Sequence, residues 1–276
     1  MPELPEVELV ANSLQRLVAG RRIESAILNR PRLAPHSTPS EFAECVGGAR
    51  ILEVGRRGKH ILIGLDNGWT LLVHLRMSGR FMLLGRDRDD PKFAHAVFYL
   101  GDDERLVFQD QRHFGFMRIL PTDGLLSTPE LAKLAPEPFS EDFSPAYLRA
   151  VLKRSDRPLK LVLLDQTKIL GLGNIYASEA MFLAKLNPKR RASGFSARRI
   201  DWLFETIRGV LAESMAHGST MNVDPENIDG SYYDGAYESK WRVYDREGEP
   251  CVECSAIIRR VIQGGRSTYY CPSCQR

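Results

Sequence analysis

Four of the five cysteines of this 276-residue chain form two Cys-x2-Cys pairs, Cys251 with Cys254 and Cys271 with Cys274. Each pair can hold one side of a tetrahedral metal ion, and alternating residues around Gly264-Gly265 predict a hairpin that brings the pairs together. Four thiolates leave no open position for water, so the sequence predicts one structural Zn²⁺ ion. The alternative, two disulfides, requires an oxidising compartment, and no export signal is present. Cys45 is expected to be a buried apolar residue.

The start of the chain offers a second kind of chemistry. Pro2 becomes the terminal residue if Met1 is removed, which is usual before a small residue. An α-amino group titrates near 7.7 to 8.0, against about 10.4 for lysine, so roughly a tenth of it is a free nucleophile at pH 7. A terminal proline is therefore ready to form an imine. The structural alternative is a proline in the first turn of a helix, where it is common.

The periodicity of apolar residues predicts the elements that position these groups. A spacing of three and four residues predicts an amphipathic helix from about residue 3 to 19, ending at Gly20. Residues 22–120 alternate with a period of two and contain two hairpin turns, Asp66-Asn67-Gly68 and Gly101-Asp102-Asp103. The helical period returns over residues 147–217. The last helix there is expected to begin after Ser196 and to stop at Gly218.

Composition narrows the class of protein. The chain is 43% hydrophobic and 26% charged, which is typical of a globular protein with a true core. It has no apolar run near the ~18 residues of a membrane span and no basic leader, so a transmembrane or secreted protein is excluded at this level. The net charge is only +3, but bases concentrate in the second half. This distribution of charge is equally compatible with solvent-exposed faces and with a surface that binds nucleic acid. Five prolines between Pro121 and Pro145 predict a linker or a domain-edge loop.

Three collinear blocks carry a family resemblance: Met-Pro-Glu-Leu-Pro-Glu-Val-Glu at 1–8, Lys-Ile-Leu-Gly-Leu-Gly-Asn-Ile-Tyr-Ala-Ser-Glu at 168–179 and Gln-Gly-Gly-Arg-Ser-Thr-Tyr-Tyr-Cys at 263–271. Together they resemble bacterial formamidopyrimidine-DNA glycosylase. The resemblance implies an α+β protein: an N-terminal catalytic β-sandwich flanked by helices (1–135), a helix-two-turn-helix DNA-binding domain (136–235) and a C-terminal zinc-ribbon β-hairpin (236–276). It also implies base excision repair, in which oxidised purines such as 8-oxoguanine and formamidopyrimidines are removed and the strand is cut by β,δ-elimination.

The resemblance assigns catalytic roles to four residues. Pro2 would form the imine at the anomeric carbon, and Glu3 would protonate the sugar or the leaving base. Without the family, Glu3 is a carboxylate in the first turn of a helix, where the dipole favours it. Lys59 would contact phosphate and assist β-elimination, although a lysine beside a hairpin is usually solvated. Arg266 would grip the phosphates that flank the lesion and help δ-elimination, and a simple electrostatic clamp is the alternative.

DNA binding is implied for further residues. Met77 would be the apolar wedge that fills the gap left by a flipped base, and Arg112 and Phe114 would replace and buttress the orphaned partner. Burial among the apolar residues of its strand is the alternative for Met77. Asn174 is expected to cap the helix after the Gly171-Leu172-Gly173 turn and to contact the DNA backbone, with ordinary capping as the alternative. The remaining DNA-binding residues implied are His74, His95, Arg154 and Lys160; a core histidine and surface charge are the alternatives for His74 and Lys160.

The match to the family is weaker in two places. Lys92-Phe93-Ala94-His95 lacks the first histidine of a Lys-His-x-His run, and the segment 219–241, which closes over the flipped base in relatives, is atypical. Lesion preference is therefore left open. The nearest rival is the same chemistry on oxidised pyrimidines, which Leu4 argues against; the other is a non-catalytic duplex binder, which retention of Met1 would favour. The expected partner is duplex DNA containing oxidised bases, bound by a monomeric protein in the bacterial cytoplasm at the nucleoid, with no membrane and no cofactor other than zinc.

Overall fold

The computed structural model describes residues 1–101, 103–220 and 236–276. These residues form two compact units. The first contains Met1–Ala132 together with Thr220, and the second contains Lys133–Ser219 together with Ala236–Arg276. Within the described ranges, no helix combines the length and the apolarity that crossing a bilayer requires.

The first unit begins with helix α1 (Leu4–Val18), as the apolar spacing predicts. Glu3 and Glu6 form a reciprocal capping box at its start, which satisfies backbone amides that have no partner inside the helix. The helix stops before Gly20, whose φ of +82° favours glycine. Its buried face consists mainly of Leu4, Val7, Val10, Ala11, Leu14 and Val18.

Two antiparallel four-stranded sheets follow. One has the order β1-β6-β7-β5 and the other β2-β3-β4-β8. The first sheet contains β1 (Ile23–Leu28), β5 (Gly79–Gly85), β6 (Ala94–Leu100) and β7 (Glu104–Asp110). The second contains β2 (Ile51–Arg57), β3 (His60–Leu65), β4 (Trp69–His74) and β8 (Phe116–Pro121). Both hairpins therefore lie where the turn residues predict them.

The two sheets enclose one apolar core together with α1 and helix α2 (Pro39–Val46). Phe42 of α2, Ile61 of β3 and Phe108 of β7 are all fully buried in it. The predicted sandwich flanked by helices is thereby confirmed. Cys45, near the end of α2, is only partly buried, so the expectation of a buried apolar cysteine is wrong. Its neighbours on the helix, Phe42 and Val46, supply the face that packs inward.

The second unit is helical, with a hairpin near its end. Its elements are α3 (Pro145–Lys153), α4 (Leu159–Leu163), α5 (Asn174–Leu183), α6 (Ala197–Ala216), β9 (Arg259–Gln263) and β10 (Arg266–Tyr270). Helix α6 follows Ser196 and ends before Gly218, as predicted. The N-cap of α5 is Gly173, so the expectation that Asn174 caps this helix is wrong. Gly173 has the extended backbone of a cap, and Asn174 is the first helical residue.

The proline-rich segment 121–145 is mostly exposed over residues 121–130 and packs into the fold after them. Leu131, Ala135 and Phe143 are each at most 3% exposed. The Ala135 amide donates to the Gln166 carbonyl at 3.0 Å, which fixes this part of the chain within the second unit. The first unit ends at Ala132 and the second begins at Lys133, so the segment links the two units, one of the two interpretations that the sequence left open.

Candidate active site and nucleic-acid interface

The beginning of the chain is buried among charged side chains. Pro2 is buried, and Glu3 is only 2% exposed. Burial lowers the pKa of the Met1 amino group; Glu3 and Glu6 oppose this shift, and Lys59 and Arg112 add to it. A lowered amine pKa means a larger fraction of free amine at neutral pH. The charges of the first turn of α1, Lys59 and Arg112 therefore all affect the pKa of the nitrogen that starts the chain.

Glu6 has a role that the sequence alone did not reveal. Its Oε2 accepts from the Glu3 amide at 2.9 Å. Its Oε1 accepts from both the amide and the hydroxyl of Thr220, at 3.3 and 2.9 Å. The carboxylate therefore joins the start of α1 to the first part of the 219–241 segment. The Glu3-x-x-Glu6 spacing of a capping box was the available signal. Residues 221–235 of that segment lie outside the described residues, so its expected closure over the base stays a prediction.

Lys59 lies in the two-residue turn between β2 and β3, next to Gly58, whose φ is +58°. Arg56 holds this turn against α1: its Nε donates to Glu8 at 2.6 Å and its Nη1 to the Gly58 carbonyl at 3.3 Å. Lys59 is 5% exposed, so the interpretation of a solvated lysine is wrong. Its charge acts directly on the chain-terminal amine.

His74, the last residue of β4, is an interior histidine. It is 8% exposed, and its ring packs edge-to-face on His60 with centroids 4.8 Å apart. Its Nδ1 accepts from the Arg76 amide at 3.0 Å, so the neutral ring carries its proton on Nε2. Burial, with His60 and Arg76, lowers the pKa of His74 to about 2. The ring is therefore neutral, and a DNA contact by His74 would use a neutral donor.

Asp110 ties together the two loops that carry the expected gap-filling residues. It is fully buried at the end of β7 and accepts from the Ser78 hydroxyl at 2.5 Å and the Gly115 amide at 2.6 Å. The Arg112 amide donates to the Ser78 hydroxyl at 3.0 Å. Met77, beside Ser78, lies beyond the end of β4 and is half-buried, so it is not a strand residue of the core. Sequence reasoning did not single out Asp110, although an aspartate before a turn was a signal.

Arg112 and Phe114 form an exposed pair at the tip of this turn. The Arg112 guanidinium lies 5.3 Å from the centroid of the Phe114 ring, which is 56% exposed. Gly115 follows because a Cβ there would lie 2.8 Å from the ring of Phe108. A planar cation on an aromatic ring, held on a rigid turn, is suited to stacking against bases.

His95 lies on the neighbouring strand β6 and reaches the same turn. It is 5% exposed, and its Nε2 lies 2.8 Å from Nδ1 of His113, between Arg112 and Phe114 in sequence. The structure thus gives His95 a partner inside the protein.

In the second unit, Lys160 and the hairpin form one assembly. Lys160 is fully buried, and its Nζ donates to the Ser267 carbonyl at 2.9 Å and lies 3.3 Å from the Ser178 hydroxyl. The interpretation as surface charge is therefore wrong. A Cβ on Gly264 would lie 2.9 Å from Leu161, so the hairpin turn packs closely on α4. Arg266, directly after the turn, is exposed.

Asn174 and Arg154 occupy helix ends. In the described part of the chain, the Asn174 Oδ1 is buried without a hydrogen-bond partner. The backbone amides at the start of α5 suit an anion such as a phosphate, whereas Oδ1 is itself an acceptor and would need a donor as its partner. Arg154 is exposed at the C-terminal end of α3.

The four cysteines converge as predicted. All four sulfur atoms lie within 4.8 Å of one another, with Cys251 and Cys274 at 3.9 Å and Cys254 and Cys271 at 3.5 Å. A tetrahedral zinc ion with Zn–S bonds of about 2.3 Å requires S···S separations of about 3.8 Å. The Cys274 amide points at the Cys271 sulfur at 3.4 Å, the knuckle arrangement that stabilises a thiolate. The residues fit one structural zinc ion.

Glu179 connects α5 to the chain that leads into the zinc hairpin, and sequence reasoning missed it. Its carboxylate is fully buried and accepts from the amides of Arg242, Val243 and Tyr244 at 2.9, 3.0 and 3.0 Å. Arg242 also lies 3.6 Å from it as an ion pair. One buried carboxylate thus fixes three consecutive residues.

Replacing Glu179 by leucine is expected to destabilise the protein by about 3–5 kcal/mol, because three buried amides and a cation lose their partner. Glu179→Gln keeps acceptor capacity and should fall between that variant and the wild type. Glu205→Leu, on the exposed face of α6, is the matched control and should change stability by about 0.5 kcal/mol or less. Urea denaturation with zinc present measures all three. A Glu179→Leu protein as stable as the control would contradict this role.

Three family profiles match the chain in order. The Formamidopyrimidine-DNA glycosylase N-terminal domain matches residues 1–117, the Formamidopyrimidine-DNA glycosylase H2TH domain matches 134–224, and the Zinc finger found in FPG and IleRS matches 248–276. Together they span most of the sequence.

Curated relatives named formamidopyrimidine-DNA glycosylase include those of Pelotomaculum thermopropionicum, 41% identical over all of this chain and 99% of the relative, and Chloroflexus aggregans, 43% identical over all of this chain and 98% of the relative. A solved structure of Lactococcus lactis Fpg with abasic-site DNA superposes with a TM-score of 0.92 at 31% identity, covering 99% of both chains. A MutM structure with DNA containing carbocyclic 8-oxo-G gives 0.92 at 32%, covering all of both chains. With a buried chain start, a hairpin that gathers four cysteines and these full-length matches, the chain belongs to the formamidopyrimidine-DNA glycosylase family.

Proposed function

We propose that this DNA glycosylase of base excision repair excises oxidised purines, 8-oxoguanine and formamidopyrimidines, from duplex DNA and then cuts the strand at the resulting site. The nucleophile is the imino nitrogen of Pro2 after removal of Met1. The observation that carries the proposal is the burial of Pro2 and Glu3 behind an exposed Met1. In the chain that still carries Met1, burial lowers the pKa of the amine at this place, and the charge of Lys59 adds to the shift.

Each step has a residue near the chain start. The Pro2 nitrogen attacks C1′ of the damaged nucleotide, and the bond from C1′ to the base breaks with its electron pair leaving on the base. Glu3 supplies the proton that the base takes up. The C1′–O4′ bond then opens as the proton from the nitrogen passes to O4′, which leaves an iminium ion on C1′ and a hydroxyl group at O4′. That ion is the electron sink that makes a C2′ proton acidic.

Strand cleavage follows from the same adduct. Loss of the C2′ proton expels the 3′ phosphate in β-elimination, and loss of the C4′ proton then expels the 5′ phosphate in δ-elimination. Both leaving groups are anionic, so a cation beside each stabilises the developing charge. We assign Lys59 to the first elimination and Arg266, exposed on the hairpin, to the second. The four cysteines would hold a zinc ion that folds the hairpin and supplies no step of the reaction.

The DNA contacts divide by kind. Met77 and the Arg112–Phe114 pair enter the space left by the flipped nucleotide. Asp110 holds the two loops that carry them in fixed positions. The start of α5 with Asn174 and the exposed Arg154 contact phosphates, and His74 is assigned as a neutral donor. Lys160 acts through the hairpin, since its ammonium group is committed to Ser267. The abasic, FAPY-dG and 8-oxo-G DNA bound by solved relatives supports the lesion class.

The direct test is borohydride reduction during reaction with an 8-oxoguanine duplex. We expect a covalent protein–DNA adduct, with mass spectrometry of the digested adduct locating the DNA on Pro2. Intact mass of the free protein should show that Met1 is absent. No adduct, or an adduct on a lysine, would end the proposal; retention of Met1 would favour a non-catalytic duplex binder. Comparing excision from 8-oxoguanine and thymine glycol duplexes separates purine from pyrimidine preference.

The pH profile of trapping on a preformed abasic site provides a quantitative prediction. Burial lowers the pKa of the Met1 amine, and we expect the same burial to act on the Pro2 nitrogen once Met1 is removed, so the acid limb should have a midpoint below the ordinary pKa of a free chain terminus. Lys59 contributes to that lowering, so Lys59→Met removes a positive charge and should move the midpoint to higher pH. Lys133→Met, an exposed lysine, is the control and should leave the midpoint unchanged. An unchanged midpoint in Lys59→Met would show that the acid limb of the pH profile does not reflect deprotonation of the terminal amine.

A further inference from the structure

His95 occupies a specialised position on β6. The pairing of β6 with β7 matches Ala94 with Gln109 and Ala96 with Phe108, so His95 is the additional residue of a β-bulge. A bulge turns a side chain away from the regular alternation of the strand. Here the ring is turned toward the end of β7, where its Nε2 meets Nδ1 of His113 at 2.8 Å, with the rings 31° from parallel.

His113 is the middle residue between Arg112 and Phe114, and its backbone has a φ of +62°, which is unfavourable for a non-glycine residue. Its amide donates to the Asp110 carbonyl at 3.3 Å, and its ring packs edge-to-face on Phe93, 5.4 Å away. Asp110 therefore fixes the two ends of the turn, whereas the His95 contact fixes its middle through a side chain.

The hydrogen bond between the two rings survives protonation of one ring but not of both. When both rings are neutral, or when one is protonated, one of the two facing nitrogens carries hydrogen and donates to the other. When both rings are protonated, both facing nitrogens carry hydrogen and the bond is lost. The groups facing His95 from other elements are Arg30 after β1, Asp110 and His113. Burial, then His113 and Arg30, lower the pKa of His95, and Asp110 opposes them. Arg112 is the charged neighbour of His113 on the turn itself.

We propose that the His95–His113 hydrogen bond sets the position of the Arg112–Phe114 pair and thereby determines how strictly the enzyme reads the base opposite the lesion. His113 and His95 are positioning residues, since they act through Arg112 and Phe114. The inference rests on the proposed function, which places that pair in the gap left by the flipped nucleotide. The proposal also predicts a dependence on pH. The enzyme should discriminate strongly between bases opposite the lesion while the His95–His113 bond is present, and weakly once both rings are protonated.

Two variants isolate the bond. In His113→Asn the amide occupies the place of Nδ1 and can keep the contact with His95 but cannot titrate, and asparagine tolerates the positive φ of this position. In His95→Leu the bond is lost while His113 and its backbone stay in place. The readout is the ratio of excision rates for 8-oxoguanine opposite cytosine and opposite adenine. We expect the ratio to fall about fivefold to tenfold in His95→Leu and to stay near wild type in His113→Asn. Because burial, His113 and Arg30 lower the pKa of His95, the second proton enters only below the ordinary histidine value of about 6.5; there the ratio should fall in the wild type and stay flat in His113→Asn.

Urea denaturation across the assay pH range is the internal control: both variants should remain folded, so that a changed ratio reports the turn and not a loss of the fold. An unchanged ratio in His95→Leu, or an equal loss in His113→Asn, overturns the proposal. Failure of the wild type to form the borohydride adduct would instead overturn the proposed function. The pairing itself is checked without activity: ¹⁵N spectra of the free protein should show a hydrogen bond between His95 Nε2 and His113 Nδ1 at neutral pH, and the absence of that bond would overturn it.

Discussion

Glu3→Gln is expected to slow the release of 8-oxoguanine by about 10²- to 10⁴-fold, the usual contribution of a positioned acid. The substitution keeps the shape of a side chain that is 2% exposed, so the fold should be retained. It also removes an anion that raises the pKa of the terminal amine, so the amine stays unprotonated and available. A slower reaction therefore reports loss of the proton donor, not loss of the nucleophile.

The distinguishing measurement compares two substrates. Cleavage of a preformed abasic site requires no protonation of a leaving base, so its rate should fall much less than the rate of base release. Glu205→Gln, an exposed glutamate of α6, is the matched control and should resemble the wild type in both assays. Equal losses on the two substrates would indicate that Glu3 acts mainly on the nucleophile or on the start of α1.

Cys271→Ser is expected to abolish stoichiometric zinc binding and to weaken binding to an abasic-site duplex about 10- to 100-fold, the equivalent of one or two charge-assisted hydrogen bonds. Cys271 directly follows β10, the strand that begins with Arg266, and that strand is held by Lys160 through the Ser267 carbonyl. Without the metal the tail loses the ion that folds it. Arg266 is then no longer presented on a fixed turn.

The control is Cys45→Ser, since Cys45 is the cysteine outside the metal cluster and lies in the first unit. It should retain both zinc and DNA affinity. Metal content by mass spectrometry and duplex affinity at several salt concentrations provide the measurements, with the salt dependence expected to weaken by about one phosphate contact in Cys271→Ser. Loss of zinc with unchanged affinity would show that the hairpin does not hold DNA.

Local features of this protein could be predicted from the sequence because they depend on nearby residues. The apolar spacing of α1, the Asp66-Asn67-Gly68 turn and the stop at Gly218 each encode their own geometry within a few residues. The cysteine pairs are similar: their spacing defines the metal site, and the hairpin that joins them is itself local. The choice between Gly173 and Asn174 as the cap of α5 was less determined, because both residue types suit that position.

The catalytic roles proposed for Glu3, Lys59 and Arg266 were predicted only through the family resemblance. Periodicity and composition left Glu3 as an ordinary helix-dipole carboxylate and Lys59 as a solvated lysine. The structure buries both and places them where their charges act on the chain-terminal amine. Burial depends on what packs against a residue, and the turn that carries Lys59 is held to α1, about fifty residues earlier in the chain, by the Arg56–Glu8 ion pair.

The sequence by itself determined the chemistry available at each end of this protein: a proline able to become a terminal nucleophile and four thiolates spaced for zinc. Only the tertiary structure decided the long-range contacts that put this chemistry to use. Glu6 meets Thr220 across 214 residues, and Lys160 meets Ser267 across 107. The physical reason is that a residue's type and its near neighbours set its reactivity and its local backbone, whereas its burial, charge environment and hydrogen-bond partners arise only when distant segments pack together.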